Sequence, residues 1–332
     1  MSPAYKANKG TGGPPMSRRG REVAAAALLC AWLGTFTQAF AQPIPDPSFD
    51  PFIAEPTYRT AHPQVVVDEY HFNYHTITGR YRPFAALIRN DGYVVAAGTE
   101  KFTREFLSRV DLLVIANARG GEALPQAAAD AFTAAECDAV TEWVKAGGRM
   151  LLIADHEPFG QSARTLAARF GVRMGLGHVF DRQRSLIDPT FISYTPAHGL
   201  VRDHPIARGR NSDEQVRHVL TFDGQSLQAP TGAVALLTLG PEARESDNAQ
   251  QLEAGIGRRV GGRTQGIALI HGQGRVVVMG EAAMFSAQVY RPGAPGQGSG
   301  PDPGEIRFGM NVQGNDDRQF VLNVMHWLSG AL

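Results

Sequence analysis

Five apolar runs constrain this chain more than any other feature. They are 65–67 (VVV), 93–97 (YVVAA), 112–116 (LLVIA), 150–154 (MLLIA) and 276–279 (VVVM). Such runs lack the in-out alternation of a half-exposed strand, so both of their faces are expected to be buried. Between them fall segments with helical spacing. At 81–91, Phe84, Leu87 and Ile88 recur on one side, Pro83 sits in the first turn and Gly92 is a stop. A short helix is expected around 102–107. Thr133 and Glu136 have the spacing of a capping box, before a helix that runs to about Ala146 and ends at Gly147 and Gly148. A further helix is expected at 161–170 (QSARTLAARF). Strands alternating with helices predict a parallel sheet covered on both faces. Residues 178–265 carry short strand-like pieces broken by Gly, Pro, Asp and Asn, and are expected as β-rich insertions on that sheet. The segment 266–285 holds two apolar runs and predicts a hairpin turning at 271–274 (HGQG). The C-terminal stretch predicts an amphipathic helix with Phe320, Val324, Trp327 and Leu328 on one face.

The N-terminus belongs to another class of segment. Residues 17–22 (SRRGRE) are basic, 23–36 are mostly apolar, and Ala39-Phe40-Ala41 has the A-x-A form of a cleavage site. This pattern predicts a signal peptide over 1–41, with Met16 as the true start and cleavage before Gln42. The apolar run is too short for a membrane span, so no stable membrane anchor is expected. The expected location is periplasmic or secreted. The whole chain has 32 basic and 32 acidic residues. Loss of 1–41 removes five basic residues and one acid, leaving 27 and 31 and a net charge of −4. No basic excess or polybasic run points to nucleic acid. One cysteine, Cys137, remains beyond the leader, so no intrachain disulfide is expected. Residues 42–64 are proline-rich and read as an extended lead-in, with one α/β domain over 65–332.

In open parallel sheets, ligands bind beyond the carboxyl ends of the strands. Four apolar runs end there in polar residues: Asp68, followed by His71 and His75; Asn117; Asp155 and His156; and Glu281. Asp155, His156, Glu281 and Asp68 are the candidate catalytic groups. His71, His75, Asn117 and Ser162 are the candidate ligand contacts. The four-residue spacing of His71 and His75 also fits two ligands of a divalent metal such as zinc, with Glu281 or Asp155 as base. Without a metal, His156 would be the base, with Asp155 beside it. A brace that only ties down loops is the competing reading of the same residues. Ser162 lacks the G-x-S-x-G context of a nucleophile elbow. Cys137 falls mid-helix on the apolar side, as an inert thiol would. No Rossmann or Walker string is present.

The strings 65–93 (VVVDEYHFNYHTITGRYRPFAALIRNDGY), 111–118 (DLLVIANA), 143–160 (WVKAGGRMLLIADHEPFG) and 272–288 (GQGRVVVMGEAAMFSAQ) resemble the class I glutamine amidotransferase-like superfamily. They are most similar to its exported branch of gliding-motility transporter auxiliary and intraflagellar-transport-like domains. The resemblance implies a flavodoxin-like three-layer fold. It also exposes a departure. The turn that carries the amidotransferase cysteine is here Ala154-Asp155-His156-Glu157, so glutamine hydrolysis by that route is not expected. Two functions stay open on the sequence. One is hydrolysis or processing of a small molecule or glycan at the strand-end rim. The other is non-catalytic ligand binding, for instance of a sugar, or an accessory role in envelope transport.

Overall fold

The computed structural model describes residues 42–121, 130–185, 188–291 and 304–332. The expected signal peptide, 1–41, lies outside the described residues.

The apolar runs become strands β1 (Gln64–Asp68), β2 (Val94–Gly98), β3 (Leu112–Ala116) and β4 (Arg149–Ile153). They alternate with helices α1 (Arg82–Asn90), α2 (Arg104–Leu107), α3 (Ala134–Lys145) and α4 (Phe159–Arg169). The insertion contributes β5 (His178–Phe180), β6 (Val219–Phe222) and β7 (Val234–Ala235). The hairpin β8 (Gly266–His271) and β9 (Gly274–Met279) and the helix α5 (Asp317–Ser329) complete the frame. The main sheet has seven strands in the order β7-β8-β9-β4-β3-β1-β2. Strands β1, β2, β3, β4 and β9 are mutually parallel, whereas β8 and β7 run antiparallel at one edge. Numbered along the chain, the parallel strands lie in the order 2-1-3-4-5. This is the flavodoxin-like winding, with its switch point between β1 and β3.

The pleat sorts the core. In β4, Leu151 and Ile153 join a cluster with Phe84, Leu87 and Ile88 of α1 and Phe320 and Val324 of α5. Met150 and Leu152 face the other way, onto Cys137, Val140 and Val144 of α3 and Leu166 of α4. The sheet is thus covered on both sides, as its unbroken apolar strands require. The capping box at α3 forms as expected, with Thr133 and Glu136 each bonding the other's backbone N–H. Gly92 is needed where α1 stops. It has φ +96°, and a Cβ there would stand 1.9 Å from the Tyr58 carbonyl oxygen.

Two expectations need correction. The insertion lies mostly off the main sheet. Only Val234–Ala235 joins that sheet, and the other described strands of the insertion form small antiparallel pairs and one triplet. Helix α5 is buried around most of its circumference rather than along one face, because the short helix Pro205–Arg208 and β6 pack on its outer side. Its polar Asn323 stays satisfied there by donating to the carbonyls of Ile206 and Glu214, both at 2.8 Å. The lead-in is extended but docked. Ile44–Pro45 pairs with Gln288 and Val289, and Thr57 donates its N–H to Asp91 at 2.8 Å.

Leu151 is fully buried at the centre of the sheet. Leu151→Ala is expected to cost about 2–5 kcal/mol. Denaturant titration followed by far-UV circular dichroism checks this, and a loss below about 1 kcal/mol would contradict a close-packed sheet face.

Candidate functional site

The polar strand ends separate into two groups. The first is a closed chain. Asp68, at the end of β1, accepts from His71 Nδ1 on both oxygens at 3.0 Å and from the Tyr70 N–H at 3.3 Å. His71 Nε2 donates to Glu136 Oε1 at 3.0 Å. The other Glu136 oxygen accepts from the N–H and hydroxyl of Thr133, at the start of α3. The imidazole packs against the stacked rings of Phe102 and Phe132, with centroids 4.6 and 4.7 Å away. All three charged residues are buried. Burial would lower the His71 pKa, but the hydrogen bonds and charges of Asp68 and Glu136 raise it instead. Asp68 is raised by burial, against the opposing pull of His71. With both ring nitrogens committed to carboxylates, His71 has no donor left for a metal. The expected His71–His75 metal pair is therefore not formed. This chain fastens β1 to the N-terminus of α3.

The second group surrounds the end of β4. Asn117 follows β3 with φ 50° and accepts the Asp155 N–H on Oδ1 at 2.9 Å. Asp155 in turn accepts the N–H of His156 at 2.9 Å. Buried Gln225 donates to the carbonyls of Ala154 and Asp155, at 2.8 and 3.0 Å, and clamps the turn from the insertion side. Burial pushes the Asp155 carboxyl upward, with His156 opposing and Asp223 adding to the rise. His156 keeps 31% of its side chain exposed. Burial acts to lower its pKa, but Asp223 and Asp155 outweigh it and the net direction is up.

Two residues join His156 that the sequence did not single out: His178, which opens β5, and Asp223, which follows β6. The rings of His156 and His178 stack with centroids 4.5 Å apart and planes 21° apart. Asp223 Oδ2 accepts from His178 Nδ1 at 2.9 Å and stands 3.9 Å from His156 Nε2. Its other oxygen accepts the Gly224 N–H at 2.8 Å. His156 Nδ1 donates to the Glu157 carbonyl at 2.7 Å, which leaves Nε2 turned to Asp223. One donor atom from each of the three residues lies within 4.8 Å of the others, a spacing that can hold a metal ion. His178 and Asp223 escaped the sequence because they start and follow strands of the insertion, outside the ends of the parallel strands. The only local signal was Asp223-Gly224 closing an apolar strand.

The remaining candidates divide. His75 lies beside this group and is buried, with its pKa lowered to about 3 by burial, then by the charges of Arg80 and His156. Among the described residues its Nδ1 has no hydrogen-bond partner, nor has Asn117 Nδ2 or Asn73 Oδ1. Glu281 is not an open acid or base. It is fully buried and caps the turn Ala283–Phe285 by accepting the N–H groups of Ala283 and Met284 at 2.6 and 2.9 Å. Burial, then Asp155, drives its pKa well up. Ser162 is buried within α4 rather than presented on a turn. Cys137 is buried, and burial pushes its thiol up to about 11.

Backbone strain gathers at the same place. The described non-glycine residues with left-handed φ are Phe72, Asn117, Leu176 and Asp223. Asn117 holds Asp155, Asp223 holds His178, and the Leu176 N–H donates to Gln225, which clamps the turn. Asn and Asp accept this conformation more readily than Phe and Leu. Such residues cost on the order of 1–3 kcal/mol each and cluster at functional sites.

No family model matches the chain, and no curated protein matches it. Solved structures do. An N-terminal domain of mmIFT52 is 16% identical over 80% of this chain and 97% of its own, with a TM-score of 0.55. A ThuA-like protein of Bacteroides uniformis is 11% identical, covering 85% of this chain and 95% of its own, with a TM-score of 0.42. A GMP synthase-like protein of Thermoplasma acidophilum is 11% identical, covering 82% and 96%, with a TM-score of 0.39. The likeness to the mmIFT52 domain is one of fold, and it agrees with the mixed α/β architecture and parallel central sheet.

His71 tests the first group. Its pKa is raised on folding, so its contribution to stability is complete below the unfolded value of about 6.5 and is lost as pH rises through the folded value. Removing it strands two buried carboxylates, a loss of about 3–5 kcal/mol. Unfolding titrations of wild type and His71→Gln should differ most near about pH 6 and converge as pH rises. A gap that widens with pH would refute the assignment.

Proposed function

We propose that the protein is an exported hydrolase of a small molecule or glycan, acting at the end of β4. The observation that carries this reading is the convergence of Asp155, His156, His178 and Asp223 from the parallel sheet and its insertion, on a strained backbone beside unpartnered Asn117 Nδ2 and His75 Nδ1. Buried polar groups without partners cost about 1–3 kcal/mol each, a cost that proteins tolerate where function requires it. Export is supported by the leader-like sequence of residues 1–41. The absence of a cysteine at Ala154–Asp155–His156–Glu157 argues against amidotransferase chemistry and for attack by water.

In this mechanism the His156–Asp223–His178 cluster orients and activates a water. Asp155 takes the proton as the water oxygen bonds to the electrophilic centre, and returns it to the leaving group as the scissile bond breaks. The buried position of Asp155 suits it to a group that must be proton acceptor and then donor. Asn117 and Gln225 are positioning residues, since each acts on Asp155 through its backbone.

A panel of glycosides, esters, lactones and amides tests the reading. Wild-type protein should turn over one class, and Asp155→Asn should lose at least about 100-fold while melting at an unchanged temperature. If no class is turned over, and a ligand found by thermal shift binds Asp155→Asn as well as wild type, the protein is a binder and the hydrolase reading falls.

A further inference from the structure

We infer that His156, His178 and Asp223 form a binding site for a divalent transition-metal ion of the zinc type. The site rests on the preceding reading for its role in activating water, but not for its existence.

The donor set and its spacing carry the inference. Two donors 2.0–2.1 Å from a tetrahedral ion stand about 3.3 Å apart. The measured separations to Asp223 Oδ2, 2.9 Å from His178 Nδ1 and 3.9 Å from His156 Nε2, bracket that value. Two imidazoles and one carboxylate are donors that suit zinc and neighbouring metals rather than calcium or magnesium.

The surroundings are those of a ligand set. A ligating histidine commonly donates its second nitrogen to a carbonyl, which fixes the ring and the tautomer. His156 does this through Nδ1 to the Glu157 carbonyl at 2.7 Å, so that Nε2 carries the lone pair. Asp223 has one oxygen committed to the Gly224 N–H and offers the other, Oδ2, to both histidines. Its backbone, at φ 73°, is held by its N–H to the Thr190 carbonyl at 3.0 Å and by Gln265 donating to its own carbonyl at 3.2 Å. His178 is nearly buried and His156 is about one-third exposed, so the site is walled on one side and open on the other.

Electrostatics favour the same occupant. Two stacked imidazoles share a single carboxylate oxygen. One divalent ion between them would take a lone pair from each ring and meet that carboxylate oxygen directly. Three protein donors leave one position for water or ligand, the pattern of catalytic rather than structural zinc sites.

The test uses the purified protein, stripped with a chelator and dialysed. Zinc titration by calorimetry should give one site per chain. Cobalt, a spectroscopic stand-in, should give visible d–d absorption that zinc displaces. His156→Ala and His178→Ala should each weaken binding at least about 10-fold, and the exposed-histidine control His198→Ala should not. Circular dichroism establishes that each variant is folded. Because His156 is partly exposed, its variant keeps the test decisive if His178→Ala fails to fold. No stoichiometric binding, or binding indifferent to His156→Ala, overturns the inference. Turnover that persists in chelator overturns the site's role in activating water and leaves its existence to the binding titration. Metal binding without turnover of any substrate class overturns the hydrolase reading alone.

Discussion

Burial of the parallel sheet on both faces is the constraint on which the rest of the molecule depends. Helices α1 and α5 cover one face and α3 and α4 the other, so the strand interiors admit only apolar side chains. Polar chemistry is therefore forced to the strand ends, and among parallel strands the chemically useful ends lie together. The order 2-1-3-4-5 places β1, β3 and β4 side by side at the switch point. Asp68, Asn117 and Asp155 are thus neighbours by topology. The single bond from the Asp155 N–H to Asn117 Oδ1 then fixes the turn that presents His156.

The same residue types meet two fates on that rim, and hydrogen-bond accounting separates them. Asp68, His71 and Glu136 satisfy one another inside an aromatic cage, and the capping box absorbs the remaining carboxylate oxygen. A group so completed has nothing to offer a ligand, and its worth lies in not leaving charge buried and alone. Asp155, His156, His178 and Asp223 form the unfinished counterpart. One carboxylate oxygen serves two rings, one ring reaches solvent, and nearby Asn117 Nδ2 and His75 Nδ1 are without partners among the described residues. Strain is concentrated at this second group, where Asn117 and Asp223 both adopt left-handed backbone.

The frame was legible in the sequence because its signals are local. Apolar runs, a proline in a first turn and the Thr133–Glu136 box each act within a few residues, and each element formed where expected. The insertion was less legible. Its short strand-like pieces were expected on the main sheet, yet only Val234–Ala235 pairs there. The site was half legible. Strand-end logic finds Asp155, His156 and Asn117, because those ends are set by the sheet. It overrates Glu281, whose environment depends on two backbone N–H groups that no spacing reveals. It misses His178 and Asp223, which reach His156 only through the folding of residues 178–223 onto the end of β4.

That division says where function can diverge on this fold. The overlay with the mmIFT52 domain spans most of both chains at 16% identity, which is what a shared sheet and its covering helices would give. The candidate groups of this chain lie on the turn after β4 and on the insertion, not within the strands of the sheet. Gln225 is the physical link between them. Its amide donates to two carbonyls of the β4 turn, and its own carbonyl oxygen accepts the Leu176 N–H two residues before His178. A substitution there would shift His178 relative to His156 without touching either ring. A chain that kept the sheet but lacked this insertion would retain Asp155 and His156 and lose two of the three donors. Its fold would be the same, and its chemistry would have to be different.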